Sequence, residues 1–167
     1  MYKKVLTEQS IYYGDVSMPK NWEIDPTDLA HNILHWNLTD EEFYFSRTFD
    51  KLNCYIKEHI NLKYKLNLIN KETWGDMYSP QKSSAPLLNI DPVDFRNSPD
   101  YVLLYGVKTS DCNVRIYYDD NRRKGRSWDM ELKQNMFIMF PSTNMYYITN
   151  KQKDNLNFIQ TITYESI

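Results

Sequence analysis

Phe45, Phe49, Leu52, Ile56 and Ile60 recur at spacings of three and four residues, the apolar stripe of an amphipathic helix. Thr39, Asp40, Glu41 and Glu42 ahead of the stripe read as a capping box, so a helix is predicted over about residues 40–61. A shorter helix, Pro26 to Trp36, is predicted upstream. Asp25 there can cap, Pro26 suits the first turn, and Leu29, Ile33, Leu34 and Trp36 follow. Before it, Ser10 to Tyr13 read as an edge strand entering a turn at Gly14 and Asp15, within an N-terminal arm.

After Asn61 the period falls to two. Lys63 to Asn70 alternates as a half-buried strand does, and Lys71 to Pro99, with Pro80, Pro86, Pro92 and Pro99, reads as a long ordered loop. From Asp100 onward short apolar runs alternate with turn residues: 101–105, 114–118, 128–132, 136–140, 145–148 and 156–164. That spacing predicts an antiparallel sandwich or barrel. The expected architecture is α+β, a single domain over 1–167, with an N-terminal arm and helices (1–62) packed on a jelly-roll-like β-sandwich core (63–167).

Composition narrows the chemistry. The chain has 167 residues, with 20 Lys+Arg against 22 Asp+Glu, so no global basic field favours general nucleic-acid binding. No apolar run approaches the roughly 20 residues of a membrane span, and Met1 to Lys4 lead into no apolar signal segment. A soluble protein of a reducing interior is therefore expected. Fourteen Tyr, seven Phe and four Trp favour strands, while four glycines leave no phosphate-cradling loop.

The candidate site residues also fit ordinary structural roles. His31 and His35 stand four apart on the first predicted helix but lack the Glu of a metal-binding HExxH pattern, and His59 suits a helix end. Cys54 and Cys112 show no paired spacing; a buried helical thiol and an exposed turn thiol are expected. Asp76 and Asp91 are weak acid–base candidates in the long loop. Arg122, Arg123, Lys124 and Arg126, with Tyr117 nearby, form a candidate surface for an anionic partner, a protein rather than a nucleic acid.

Residues 63–165 resemble the double-stranded β-helix of the 2-oxoglutarate and iron(II) dependent oxygenases, in particular small prolyl-hydroxylase-like proteins of T4-like marine phages. The resemblance rests on Tyr101 to Val107, on Val114 to Arg122, and above all on Asn135 to Ser142, which ends in Phe140, Pro141 and Ser142. In that family an iron-ligating His follows the Ser by four residues, where this chain has Tyr146. The proximal H-x-[HDE] would fall within Trp74 to Pro80, where no His stands, and no Arg after Arg126 is left to pair with the cosubstrate. Met77, Ser79 and Tyr146 are the pseudo-site positions that the resemblance implies.

The resemblance with its departures implies a catalytically degenerate fold with no metal and no cofactor. The expected function is then a noncatalytic component of a phage particle, in capsid, neck or tail. It would meet other virion proteins or copies of itself, first in the host cytoplasm and then in the virion. The alternative is an active oxygenase using Fe(II) and 2-oxoglutarate through unconventional ligands, Asp76 with His59 or with a His of the first helix. A third reading is a small-molecule or peptide binder whose pocket is lined by Trp74, Tyr78, Tyr105, Tyr117 and Tyr146.

Overall fold

The structure is a computed structural model that describes residues 1–5, 8–17, 24–39, 47–91, 93–118 and 125–167. Strand β1 (Tyr12–Asp15) precedes two helices, α1 (Pro26–Thr39) and α2 (Arg47–Tyr64). Strands β2 (Leu68–Tyr78) and β3 (Lys82–Ser83) follow, then β4 (Tyr101–Lys108), β5 (Cys112–Tyr117) and β6 (Ser127–Glu131). The chain closes with β7 (Met136–Pro141), β8 (Tyr146–Asn150) and β9 (Asn157–Ser166). They form two antiparallel sheets, one in the order β1-β7-β4-β9-β2 and one in the order β3-β8-β5-β6. The α+β jelly-roll-like sandwich expected from the strand spacing is the observed architecture.

Alternation along the central strands builds two cores, one on each face of the five-stranded sheet. Leu103, Tyr105 and Val107 of β4, with Ile162 and Tyr164 of β9, meet the buried stripe of α2 and Leu29 and Ile33 of α1. Val102, Leu104 and Ile159 face the other way, against Val114, Ile116, Tyr146 and Ile148 of the second sheet. Each fully buried aliphatic or aromatic side chain contributes about 1.5–3 kcal/mol of transfer free energy. The inter-sheet space is filled by these side chains.

Local chemistry sets the helix ends. Asp25 Oδ1 accepts the Thr27 amide at 2.8 Å, the expected cap of α1, and the helix runs on past Trp36 to Thr39. Thr39 does not open the second helix: its hydroxyl donates back to the His35 carbonyl at 2.7 Å. Asp40 to Phe45, the rest of the predicted capping box and the first apolar residue of the stripe, lie outside the described residues. At the far end α2 continues through Tyr64, and Lys65, at φ 57°, closes it with a bond to the Asn61 carbonyl.

The predicted strand over 63–70 is therefore shifted along the chain. Residues 68–78 form one long strand, β2, so the first third of the predicted loop is sheet. Its alternation is masked in the sequence because Glu72 and Asp76 stand on its inter-sheet face and Gly75 on its helix-side face, with a bulge between Asn70 and Glu72. A Cβ on Gly75 would overlap Ile33 Cγ1 and lie 2.9 Å from its Cδ1, so glycine lets α1 settle on the strand. Asn37 Nδ2 donates to the Gly75 carbonyl at 3.0 Å, occupying an edge acceptor that would otherwise face solvent.

Candidate functional site at the barrel mouth

Register with β9 decides which side chains of β2 enter the barrel. Glu72 stands opposite Thr163, Trp74 opposite Thr161 and Asp76 opposite Ile159. Ile159 belongs to the inter-sheet core, as does the flanking Tyr78, so this set faces the second sheet. Gly75 and Met77 point the other way, toward the helices. Pairing thus puts two carboxylates on this face, Glu72 exposed at its outer part and Asp76 half-buried next to an indole and a phenol.

Across the gap, β8 brings Tyr146. Its backbone exchanges two hydrogen bonds with Leu87, at 2.9 and 3.0 Å, and its ring packs edge-on against Phe140, centroids 5.0 Å apart. Asn89 Nδ2 donates to the Tyr146 hydroxyl oxygen at 2.9 Å, tying the segment before β4 to the second sheet. Phe140, Pro141 and Ser142 are packing and turn residues: Phe140 fills the inter-sheet core, and the Ser142 hydroxyl donates to the Pro99 carbonyl. Beside Trp74 and Asn89 a pocket of about 300 Å³ opens, its wall carrying Lys71, Glu72, Asp91 and Thr163.

Burial governs the protonation of this group. Asp76 is pushed above the ordinary carboxylate value by desolvation, only partly offset by a hydrogen bond with Trp74. Desolvation pushes Tyr146 up to about 12, against the bond from Asn89 and with help from the Asp76 charge. Tyr78 rises as well, from burial first and then the charges of Asp76 and Tyr146. Both phenols are neutral at physiological pH and hold donor protons. Lys71 lines the pocket but is paired with Glu165 at 2.9 Å.

The other sequence candidates scatter. Met77 packs in the helix-side core, and Ser79 lies exposed past the end of β2. His31 and His35 are exposed on α1, while His59 on α2 stacks on Tyr55 at 3.8 Å and contacts its carbonyl. All three imidazoles are on helices that cover one face of the five-stranded sheet, and Asp76 projects from the other. The ligand sets that joined Asp76 to a helical His are therefore overturned by the sheet between them.

The thiols exchange their expected places. Cys54 is exposed and Cys112 is buried as the first residue of β5, where desolvation and then Glu131 push its thiol up to about 12. Asp91 lines the mouth pocket with one carboxylate oxygen accepting the Val93 amide. Of the five residues expected to line an apolar pocket, Trp74 lines the mouth, while Tyr78 and Tyr146 pack into the inter-sheet core and do not line it. Tyr105 instead sits in the helix-side core with its hydroxyl on Asn135, and Tyr117 lies across the second sheet against Tyr147. Arg126 is exposed, and Arg122, Arg123 and Lys124 lie outside the described residues.

Sequence reasoning missed Asn89, Glu72 and Thr163. No local signal marks them, since each becomes part of the mouth only through strand register or the path of the 79–100 segment.

No family model matches the chain, and no curated protein sequence matches it. Solved structures do. A prolyl-4-hydroxylase from Pseudomonas putida superposes with a TM-score of 0.65 at 13% identity, over 94% of this chain and 85% of that one. The viral collagen prolyl hydroxylase of Paramecium bursaria Chlorella virus-1, in complex with 2-oxoglutarate, gives 0.63 at 12% identity over 94% and 96%. HygX from Streptomyces hygroscopicus, with nickel and 2-oxoglutarate bound, gives 0.60 at 7% identity over 94% and 83%. At such identities the likeness establishes the fold, that of the 2-oxoglutarate and iron(II) oxygenases.

The expectation of a chain without a cofactor is corrected by these structures, because the fold is one seen with 2-oxoglutarate, nickel and iron bound. The residues at this mouth match such a metal site in part. Asp76 supplies an inward carboxylate, but the indole of Trp74 has no lone pair to donate, and Tyr146 offers a neutral phenol already bonded to Asn89. Among the described residues no group of three His, Cys, Asp or Glu is arranged to hold a metal ion. The two-imidazole, one-carboxylate set does not fit here.

Proposed function

We propose that the chain has an oxygenase-type function exercised at the barrel mouth, on a small molecule or peptide, with Asp76 as its anchoring carboxylate in a ligand set unlike two imidazoles and a carboxylate. The observation that supports it is the approach of Asp76 and Trp74 on β2 to Tyr146 and Asn89 across the gap between the sheets, with Trp74 and Asn89 lining an open pocket, in a fold shared with prolyl hydroxylases. Trp74, Asn89 and the polar groups of the pocket wall orient a polar ligand, and the filled inter-sheet core below excludes water from its inner side. The expected virion role draws no support from the fold.

A second reading, ligand binding without turnover, is favoured by the absence of an imidazole on this face. Calorimetric titration with Fe(II) and 2-oxoglutarate under anaerobic conditions, followed by a succinate-release assay in air, separates the two. Metal binding lost in Asp76→Asn, with succinate released, is the expected result. Binding of 2-oxoglutarate without succinate transfers the case to the second reading, and no binding of either overturns both.

A further inference from the structure

At the margin of the sandwich where β1 lies beside β6, the two sheets part and leave a slot of about 180 Å³. Ile116 of the inter-sheet core pairs with Trp128, so the indole stands on the inner face of the second sheet, and Tyr118, two residues beyond Ile116, follows it there. Ile11, just ahead of β1, packs against the same core from the other side. Tyr13 steadies the indole in a T-shaped contact, ring centroids 6.2 Å apart. Trp128 and Tyr118 are nonetheless each 45% exposed, and both line the slot. Among the described residues the slot shares none with the pocket at the barrel mouth.

Asn144, in the turn between β7 and β8, lines this slot and is only 5% exposed. Its backbone amide donates to the Pro141 carbonyl at 3.1 Å, but its carboxamide has no hydrogen-bond partner among the described residues. The unpaired atoms of Thr109 and Asn157 are sealed away from any surface, whereas the carboxamide of Asn144 keeps some, and that surface opens into the slot. Buried polar groups are nearly always satisfied, and a carboxamide asks for both a donor and an acceptor. The slot therefore calls for an occupant that offers the two side by side.

From this geometry we infer a binding site for a pyrimidine nucleobase. A cavity of about 150 Å³ accepts one benzene ring, so the slot takes a single six-membered ring and crowds a fused pair. The exposed indole and phenol supply faces on which a base stacks. The edge of uracil or cytosine carries a donor next to an acceptor and satisfies both halves of the Asn144 carboxamide, as asparagine does with base edges elsewhere. A phenyl or alkyl group would leave that carboxamide unpaired. No Lys, Arg, Asp or Glu is among the described residues of the wall, so the base rather than a phosphate is the group recognised.

The full chain, isotope-labelled, is titrated with uridine, cytidine, adenosine, guanosine and inorganic phosphate while its amide resonances are followed. Uridine or cytidine is expected to shift resonances at 9–11, 118, 128 and 144, including the side-chain N–H groups of Trp128 and Asn144. Asn144→Ala is expected to weaken that nucleoside about tenfold, the loss of two modest hydrogen bonds, and Trp128→Ala at least about fivefold, from lost stacking. The remaining resonances serve as the check that both variants fold. A uridine tetranucleotide distinguishes the sources of the base: affinity equal to that of uridine assigns a free nucleoside, and tighter binding that Trp128→Ala weakens assigns a single strand. No shift with either pyrimidine, tighter binding of a purine, shifts with phosphate alone, or shifts undiminished in both variants would each overturn the assignment.

Discussion

Asn89 donates from its side-chain amide to the hydroxyl oxygen of Tyr146 at 2.9 Å, so the residue standing where the oxygenase resemblance places a metal-binding His is used to fasten a loop. The same tyrosine exchanges both backbone bonds with Leu87. Residues 87–89 are thereby held against β8 by three hydrogen bonds to one residue.

Tyr146→Phe removes the acceptor and leaves the Asn89 amide half-buried without it. The expected loss is about 0.5–1.5 kcal/mol in urea unfolding, with faster amide exchange around residues 87–91. Unchanged exchange in that segment would show that the Leu87 backbone bonds hold it alone.

Gly75→Ala drives a methyl into Ile33. A loss of about 1–3 kcal/mol is expected from overpacking. The pair Gly75→Ala with Ile33→Ala should lose less than the sum of the two single variants, because the second change vacates the space that the first requires. Additive losses would mean that α1 does not rest on Gly75.

Asp76 has a folded-state pKa raised by burial, so the folded chain binds a proton more tightly than the unfolded chain. Stability then falls as pH rises through the ordinary aspartate value of 3.8 toward the raised folded value, and stays lowered above it. Asp76→Asn is expected to be more stable than the parent near neutral pH and to lose that advantage below the ordinary value. Chemical denaturation of both proteins at a series of pH values checks the sign.

Thiol labelling separates the two cysteines. Cys54 is exposed and should react in the native protein, whereas Cys112, buried and with its thiol pushed up to about 12, should react only after unfolding. One equivalent before denaturant and a second after it is the expected count from an aromatic disulfide reagent. Two equivalents in the native state would place Cys112 at the surface.

The strands after Asp100 and the stripe of α2 were legible because each has a regular period and one face to bury. Residues 71–78, expected as loop, are strand, because an edge strand carrying a bulge and a glycine under a helix has no clean alternation. The helical histidines and the inward carboxylate illustrate the same division. Sequence by itself determined that three imidazoles exist, that none stands near Asp76 along the chain, and that Phe140, Pro141 and Ser142 close a strand. Only tertiary structure decided that Asp76 faces the second sheet while Met77 faces the helices, since a strand's side chains alternate and a shift of one residue in pairing exchanges the two faces. Only it put the histidines on the far side of a five-stranded sheet, and brought Asn89 to Tyr146 across 57 residues.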